Sequence, residues 1–306
     1  MALSNYFQKL INLIRSLINN QENLDKIKTN QGLIHFNSRS ISSEFSFNSY
    51  GFSVFSRYDE DGLINILING FDNIPKNFIE FGVDDFTEAN CRFLTETLQW
   101  KGAVFEGNKK AFNRMIAKDF YWKKNLLIYN SFLNVDNIQN TLSKSNFKNN
   151  LGILSVDVDG NDWYLLEKSL IFNPLIVVVE YNSLFGNKYP VSIPYNANFN
   201  RTKAHKSSLY YGASLKAFDY LLSDRGYKLV GTNAGGNNAF FVKEDRFKFK
   251  NFITDSETAF KKCIFNESRI EKINVKDTKS FPEDLLELPL QLVDSNKKIK
   301  LREILS

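Results

Sequence analysis

Five short apolar runs, each closing on an acid or an amide and alternating with helix-like sequence along much of the chain, constrain the fold of this chain more than any other feature. They are 78-FIEFG-82, 102-GAVFEGN-108, 126-LLIYN-130, 151-LGILSVDVD-159 and 175-LIVVVEY-181. The last is almost wholly apolar, as befits a strand covered on both faces. Helical patterns lie around them. Residues 59–70 carry acids in the first turn. From 86 to 99, Phe86, Ala89, Phe93, Leu94 and Leu98 form one stripe. A helix to about 120 follows the second run, and another spans 162–172. A helix at 213–226 then leads to 227-YKLVGTN-233 and 238-NAFFVKE-244, joined through Ala234, Gly235, Gly236 and Asn237. So short a joint demands an antiparallel hairpin. Alternating βα units give a parallel sheet with helices on both faces, and the terminal hairpin inserts one reversed strand. The predicted fold is α/β, a seven-stranded sheet, mostly parallel with one antiparallel strand.

The rhythm occupies residues 46–248, the predicted main domain. Residues 182–211 interrupt it with Pro190, Pro194, several aromatic rings and His205, a connection long enough to read as a substrate lid. Residues 249–306 are charged, with short helical patches such as 285-LLELPLQL-292, and read as a C-terminal extension. Residues 1–45 read as a helix and a polar arm, the arm covering 20–45. In 4-SNYFQKLINLIRSLINN-20, Phe7, Leu10, Ile11, Ile14, Leu17 and Ile18 recur at helical spacing. Lys9 and Arg15 interrupt the run and no small-residue cleavage site follows, which excludes a signal peptide. Such a helix packs on its own domain, on a second subunit in a homo-oligomer, or peripherally on a membrane.

No run of eighteen apolar residues is present, so no transmembrane helix is expected. The net charge of +5 balances 39 basic against 34 acidic side chains, a mixed surface without an RNA-binding signature. Nucleic acid is therefore not an expected partner. Cys91 and Cys263 lie far apart, with neither metal-ligand spacing nor a disulfide framework. A reducing, cytoplasmic compartment fits them.

Ligands of open α/β sheets sit at the carboxyl ends of the strands. Those ends carry Glu80 and Gly82, then Glu106, Gly107 and Asn108, then Asn130 and Ser131, then Asp157 and Asp159, then Glu180 and Asn182. Buried unpaired carboxylates are costly, so acids closing nearly every strand call for a function. Glu106 is placed to accept two ribose hydroxyls. The first turn lacks the G-x-G-x-x-G that a dinucleotide's pyrophosphate needs, and offers Val83, Asp84 and Asp85 after Gly82. S-adenosylmethionine has a ribose and an adenine but no phosphate. Its sulfonium and ammonium suit acids at that turn by Coulomb attraction.

These segments resemble class I S-adenosylmethionine-dependent methyltransferases, and within them the FkbM-like group linked to bacterial surface-polysaccharide biosynthesis. The resemblance covers roughly 50–245. It rests on 59-DEDG-62, 78-FIEFGV-83, 104-VFEGN-108, 155-SVDVDGNDW-163, 178-VVEYN-182, 210-YYGASL-215 and 233-NAGGNNAFFV-242. Only Gly82 remains of the group's first glycine-rich motif. The resemblance implies a Rossmann-like methyltransferase sheet of seven strands, with the reversed hairpin strand.

Along a strand, Asp157 and Asp159 would share a face, with Glu180 on the neighbouring strand. With Asn182 they form an oxygen-ligand cluster for Mg²⁺ or another divalent cation. The alternative is a metal-free site. In it Asp157 meets the cofactor or substrate, and Asp159, Gly160 and Asn161 turn the chain into helix 162–172. Asp157, Glu180 and His205 are the candidate bases for removing a hydroxyl proton. Tyr210 and Tyr211 are placed either to stack on a sugar ring or only to fill core. Glu80, Gly82, Glu106, Gly107, Asn108, Asn130, Ser131 and Asp157 are expected at the cofactor, and Asp159, Asn182, Tyr210 and Tyr211 at the acceptor. The expected activity is O-methylation of a sugar or sugar-phosphate precursor. The rivals are a nucleotide-sugar or NAD-dependent enzyme, a nucleic-acid methyltransferase, and a non-catalytic assembly protein that retains the fold.

Overall fold

A computed structural model describes residues 2–38, 45–118, 125–147, 150–265, 273–275 and 277–305. Its centre is a seven-stranded sheet. β1 (Asn77–Phe81), β2 (Lys101–Glu106), β3 (Leu126–Asn130), β4 (Ile153–Val156) and β5 (Ile176–Glu180) run parallel, and β7 (Tyr227–Thr232) and β8 (Asn238–Lys243) form the hairpin. The order is β3-β2-β1-β4-β5-β8-β7, with β8 antiparallel to both of its neighbours. Alternate residues explain why these runs are so apolar. Ile79, Phe81, Leu154, Val156, Val177 and Val179 enter one core, while Phe78, Ile153, Ile176 and Val178 enter a second on the opposite face. Both faces are sealed, as the sequence of the fifth run requires.

The flanking helices include α1 (Ala2–Ser38), α2 (Glu60–Asn69), α3 (Arg92–Thr97), α4 (Lys109–Ile116), α5 (Ile138–Ser143), α6 (Asp162–Ser169), α7 (Arg201–Ala204) and α8 (Leu215–Ser223). Two of the sequence motifs meet here to lock α2. Glu60 Oε1 accepts the side-chain amides of Asn233 (2.7 Å) and Asn238 (2.9 Å), and Asp61 Oδ2 accepts the backbone N–H groups of Val54, Phe55 and Ser56. The first acid ties α2 to the hairpin, and the second folds the segment before it.

Several expectations are corrected. The helix expected over 86–99 occupies only Arg92–Thr97. Asp84 (φ 46) and Phe86 (φ 60) are left-handed, and the N–H groups of Asn90 and Cys91 bond the Glu80 carboxylate, so a helix cannot start sooner. β4 stops at Val156, and Asp159 turns left-handed (φ 56), so Asp157 and Asp159 are not strand neighbours on one face. The polar arm expected at 20–45 is helical as far as Ser38. Its last turns are held by packing: a Cβ on Gly32 would lie 2.6 Å from Val54, and His35 meets Phe52 edge-on at 5.4 Å. The helix expected to reach about 120 ends at Ile116, with Ala117 as its C-cap, and the rest of the arm, 39–44, lies outside the described residues.

The helical patch expected at 285–292 is a turn of helix, Glu283–Leu286, followed by β9 (Pro289–Leu292). Proline is at home as the first residue of a strand. β9 pairs with β10 (Lys298–Lys300) on one side and with β6 (Val191–Ser192) of the lid on the other. Phe185, Val191, Ile193, Tyr210, Leu285 and Leu290 fill a third core. Lid and C-terminal extension are thus one packed unit.

Candidate functional site

The carboxyl ends of β1 to β4 open into a cleft of about 640 Å³, within the range of small-molecule sites. It brings together Gly82, Glu106, Gly107, Asn108, Ser131, Asp157 and Asp159 of the expected residues. At its floor β1 and β4 come so close that a Cβ on Gly82 (φ +68) would lie 1.5 Å from the Asp157 carbonyl oxygen. Only glycine fits there. Glu106 is nearly buried, and its carboxylate accepts the N–H groups of Asp84 (2.9 Å) and Asn108 (2.6 Å). Burial, against those bonds, raises its pKa. Asn108 caps α4, accepting from Lys110 N (2.9 Å).

Other expected residues stand back from the cleft lining. Glu80 is buried, accepts from Asn90 N (2.8 Å), Cys91 N (3.1 Å) and Ser155 Oγ (3.4 Å), and is pushed up to about 7 by burial. It shapes the first turn from behind. Asn130 donates to the Glu106 carbonyl (2.8 Å) and so positions β2's end. Asn182 donates to the carbonyls of Leu209 (2.9 Å) and Tyr211 (3.0 Å) and accepts from Leu184 N, which commits its amide to the lid. Tyr210 bonds the Pro289 carbonyl inside the third core. His205 is buried against Ser207 (2.7 Å), with Asp284 3.5 Å away, and serves the lid rather than the carboxylates. The acids of the first turn are also spoken for: Asp84 pairs with Arg114 (2.8 Å) and Asp85 with Lys118 (3.0 Å). They meet cations of their own chain and do not await the charge of a bound sulfonium.

Asp157, Asp159 and Glu180 do converge, with one carboxylate oxygen from each within 4.8 Å of the others. Burial first, then the charges of Asp159 and Asp162, hold Asp157 well above the carboxylate range. Burial and then Asp157 and Asp159 do the same to Glu180. Glu180 Oε2 is buried without a hydrogen-bond partner, a costly state that a ligand would relieve.

Two residues absent from the sequence-based set complete the site. Asp162 accepts from Val158 N (2.7 Å) and Gly160 N (2.8 Å) and so folds the turn that presents Asp157 and Asp159. The 157-DVDGND-162 run held part of that signal, as an acid in the first turn of the helix that follows it. Arg201, from α7 in the lid, lies 3.5 Å over the Tyr211 ring and pairs with Asp159. Burial opposes its charge, but Tyr211, Asp159 and Glu180 outweigh that and raise its pKa. No local pattern marks it, because only tertiary folding brings the lid over the acids.

No protein-family profile and no curated protein sequence matches the chain. The solved structures it resembles include a putative caffeoyl-CoA O-methyltransferase from Staphylococcus aureus, at 12% identity over 71% of this chain and 98% of that one, TM-score 0.41. An O-methyltransferase from Bacillus cereus in complex with SAH shares 10% identity over 70% of this chain and 88% of that one, TM-score 0.39. The small RNA methyltransferase HEN1 shares 15% identity over 58% of this chain, TM-score 0.35, and the chain spans only 24% of its length.

Proposed function

We propose that the chain is an S-adenosylmethionine-dependent O-methyltransferase acting on a sugar or sugar-phosphate precursor of a bacterial surface polysaccharide. The observation that carries this reading is the cleft at the carboxyl ends of β1 to β4, rimmed by Glu106 and floored by Gly82 without a glycine-rich phosphate loop. Those residues fit S-adenosylmethionine. When bound, it supplies an electrophilic methyl group.

This chain's part is to place an acceptor hydroxyl and take its proton. Glu106 would exchange its backbone bonds for the ribose hydroxyls. Asp157 or Glu180 would accept the acceptor proton as the hydroxyl oxygen forms its bond to the methyl carbon. Their raised pKa values place them nearer the working range of a general base. Arg201 and Tyr211 would border the sugar. The orphaned oxygen of Glu180 and the all-carboxylate donor set also fit a hard divalent cation, which Asp157, Asp159 and Glu180 would hold.

Transfer of radiolabelled methyl from S-adenosylmethionine to a panel of sugars, sugar phosphates and nucleotide sugars, with Mg²⁺ or with chelator, tests this. Label in a sugar, lost in Asp157→Asn, supports it. Loss of transfer with chelator supports the cation as well. Binding of NAD with no labelled sugar at all would overturn the reading.

A further inference from the structure

The first half of α1 carries an apolar face that is left uncovered among the described residues. Tyr6, Phe7, Leu10, Ile11, Leu13, Ile14 and Leu17 are 39–81% exposed. At about 100° per residue they span an arc of roughly 160°. Lys9 and Arg15 each lie about 40° beyond one edge of that arc. The face opposite holds Gln8, Asn12, Ser16 and Asn19, and residues 2–21 contain no acid. Among the described residues, no helix is long and apolar enough to cross a membrane.

This pattern selects its occupant. A two-helix seam uses a narrow apolar stripe flanked by charges of both signs that pair between chains. Here the stripe is wide, the flanks are basic on both sides, and a second copy would bring like charges together. Basic side chains at both edges of a wide apolar arc instead suit a lipid surface, where the rings and aliphatic groups sink below anionic headgroups and the cations reach back to them.

The helix is also aimed. Asp25 meets Arg92 (3.3 Å) at the start of α3, just after the β1 turn, on the cleft side of the sheet. His35 and Phe36 lie beside Ile66 and Asn69 in the last turns of α2. The first turn of α2 is near β8 at the cleft side, so its end is on the opposite side. α1 therefore runs down the domain from Asp25, and the residues before Asp25, roughly 35 Å of helix, project from the cleft side.

We propose that the first half of α1 docks the protein on an anionic lipid surface, its axis lying in the plane of that surface, so that the cleft opens along it. The claim stands independently of the methyltransferase reading. Flotation of the full chain with phosphatidylcholine vesicles, with and without phosphatidylglycerol, tests it. Wild type should float with the anionic vesicles. Leu10→Glu with Ile14→Glu should reduce the floated fraction roughly tenfold, since it places charge in the buried arc. Thermal unfolding of that variant should not change, because this half of the helix supports no core. Lys9→Glu with Arg15→Glu should abolish the preference for phosphatidylglycerol. The proposal is overturned if wild type floats with neither vesicle. It is overturned equally if sedimentation shows a stable oligomer that Leu10→Glu with Ile14→Glu dissolves while vesicle binding is nil.

Discussion

The carboxylates of Asp157 and Glu180, delivered by the ends of adjacent parallel strands, come within 4.8 Å of each other, with Asp157 half-buried and Glu180 buried. Two like charges so close cannot both ionise freely, and burial adds to the penalty. The pair therefore holds a proton at pH values where ordinary carboxylates have lost theirs.

That coupling gives a signed prediction for catalysis. Methyl transfer should rise with pH as the pair ionises. Glu180→Gln removes a negative neighbour, so the midpoint of the remaining profile should move to lower pH. Arg201→Ala removes a positive neighbour and should move it to higher pH. Profiles of kcat/KM against pH check both, and shifts of the same sign in the two variants would contradict the electrostatic account.

Asp157→Asn keeps the shape of the site but removes an acceptor of the hydroxyl proton. Its kcat should fall roughly 10²–10⁴-fold. Cofactor affinity should stay close to wild type, because the Gly82 floor and Glu106 rim are untouched. Single-turnover kinetics alongside calorimetry would separate the two.

Gly82→Ala should be among the most damaging single changes. The left-handed conformation alone costs about 1–2 kcal/mol, and the added carbon would collide with the Asp157 carbonyl. We expect a clear fall in the urea unfolding midpoint, or no folded protein. A wild-type midpoint would show that β1 and β4 lie further apart.

Stability should depend on pH through Glu80, whose pKa burial lifts from 4.5 to about 7. The folded state binds the proton more tightly than the unfolded state. The resulting stabilisation is full below about pH 4 and is lost as pH rises through about 7. Asp61 and Asp162, each pushed by burial to about 6, act with the same sign. Between pH 5 and 8 the thermal midpoint should therefore fall, and Glu80→Gln should flatten that slope. A midpoint that climbs over this range would contradict the burial of these acids.

How much of this was legible in the chain follows from range. The strand alternation and the hairpin are written in local periodicity and in 234-AGGN-237, and the sheet matches them. Gly82, Glu106 and Asp157 could be placed because a strand's end is itself a local feature. The pairing of Val191 with Leu292, which fuses lid and extension, depends on residues far apart in sequence. The same holds for Arg201 reaching Asp159 and for Arg114 and Lys118 taking the acids of the first turn. His205 and Asn182 looked available only because their partners in the lid could not be read locally.

The most direct test of the central claim is calorimetric titration of the protein with S-adenosylmethionine and S-adenosylhomocysteine, for wild type and Glu106→Ala. The account predicts micromolar binding to wild type, weakened roughly tenfold or more when the two ribose contacts are lost. Absence of binding to the wild-type protein, with or without Mg²⁺, would contradict it.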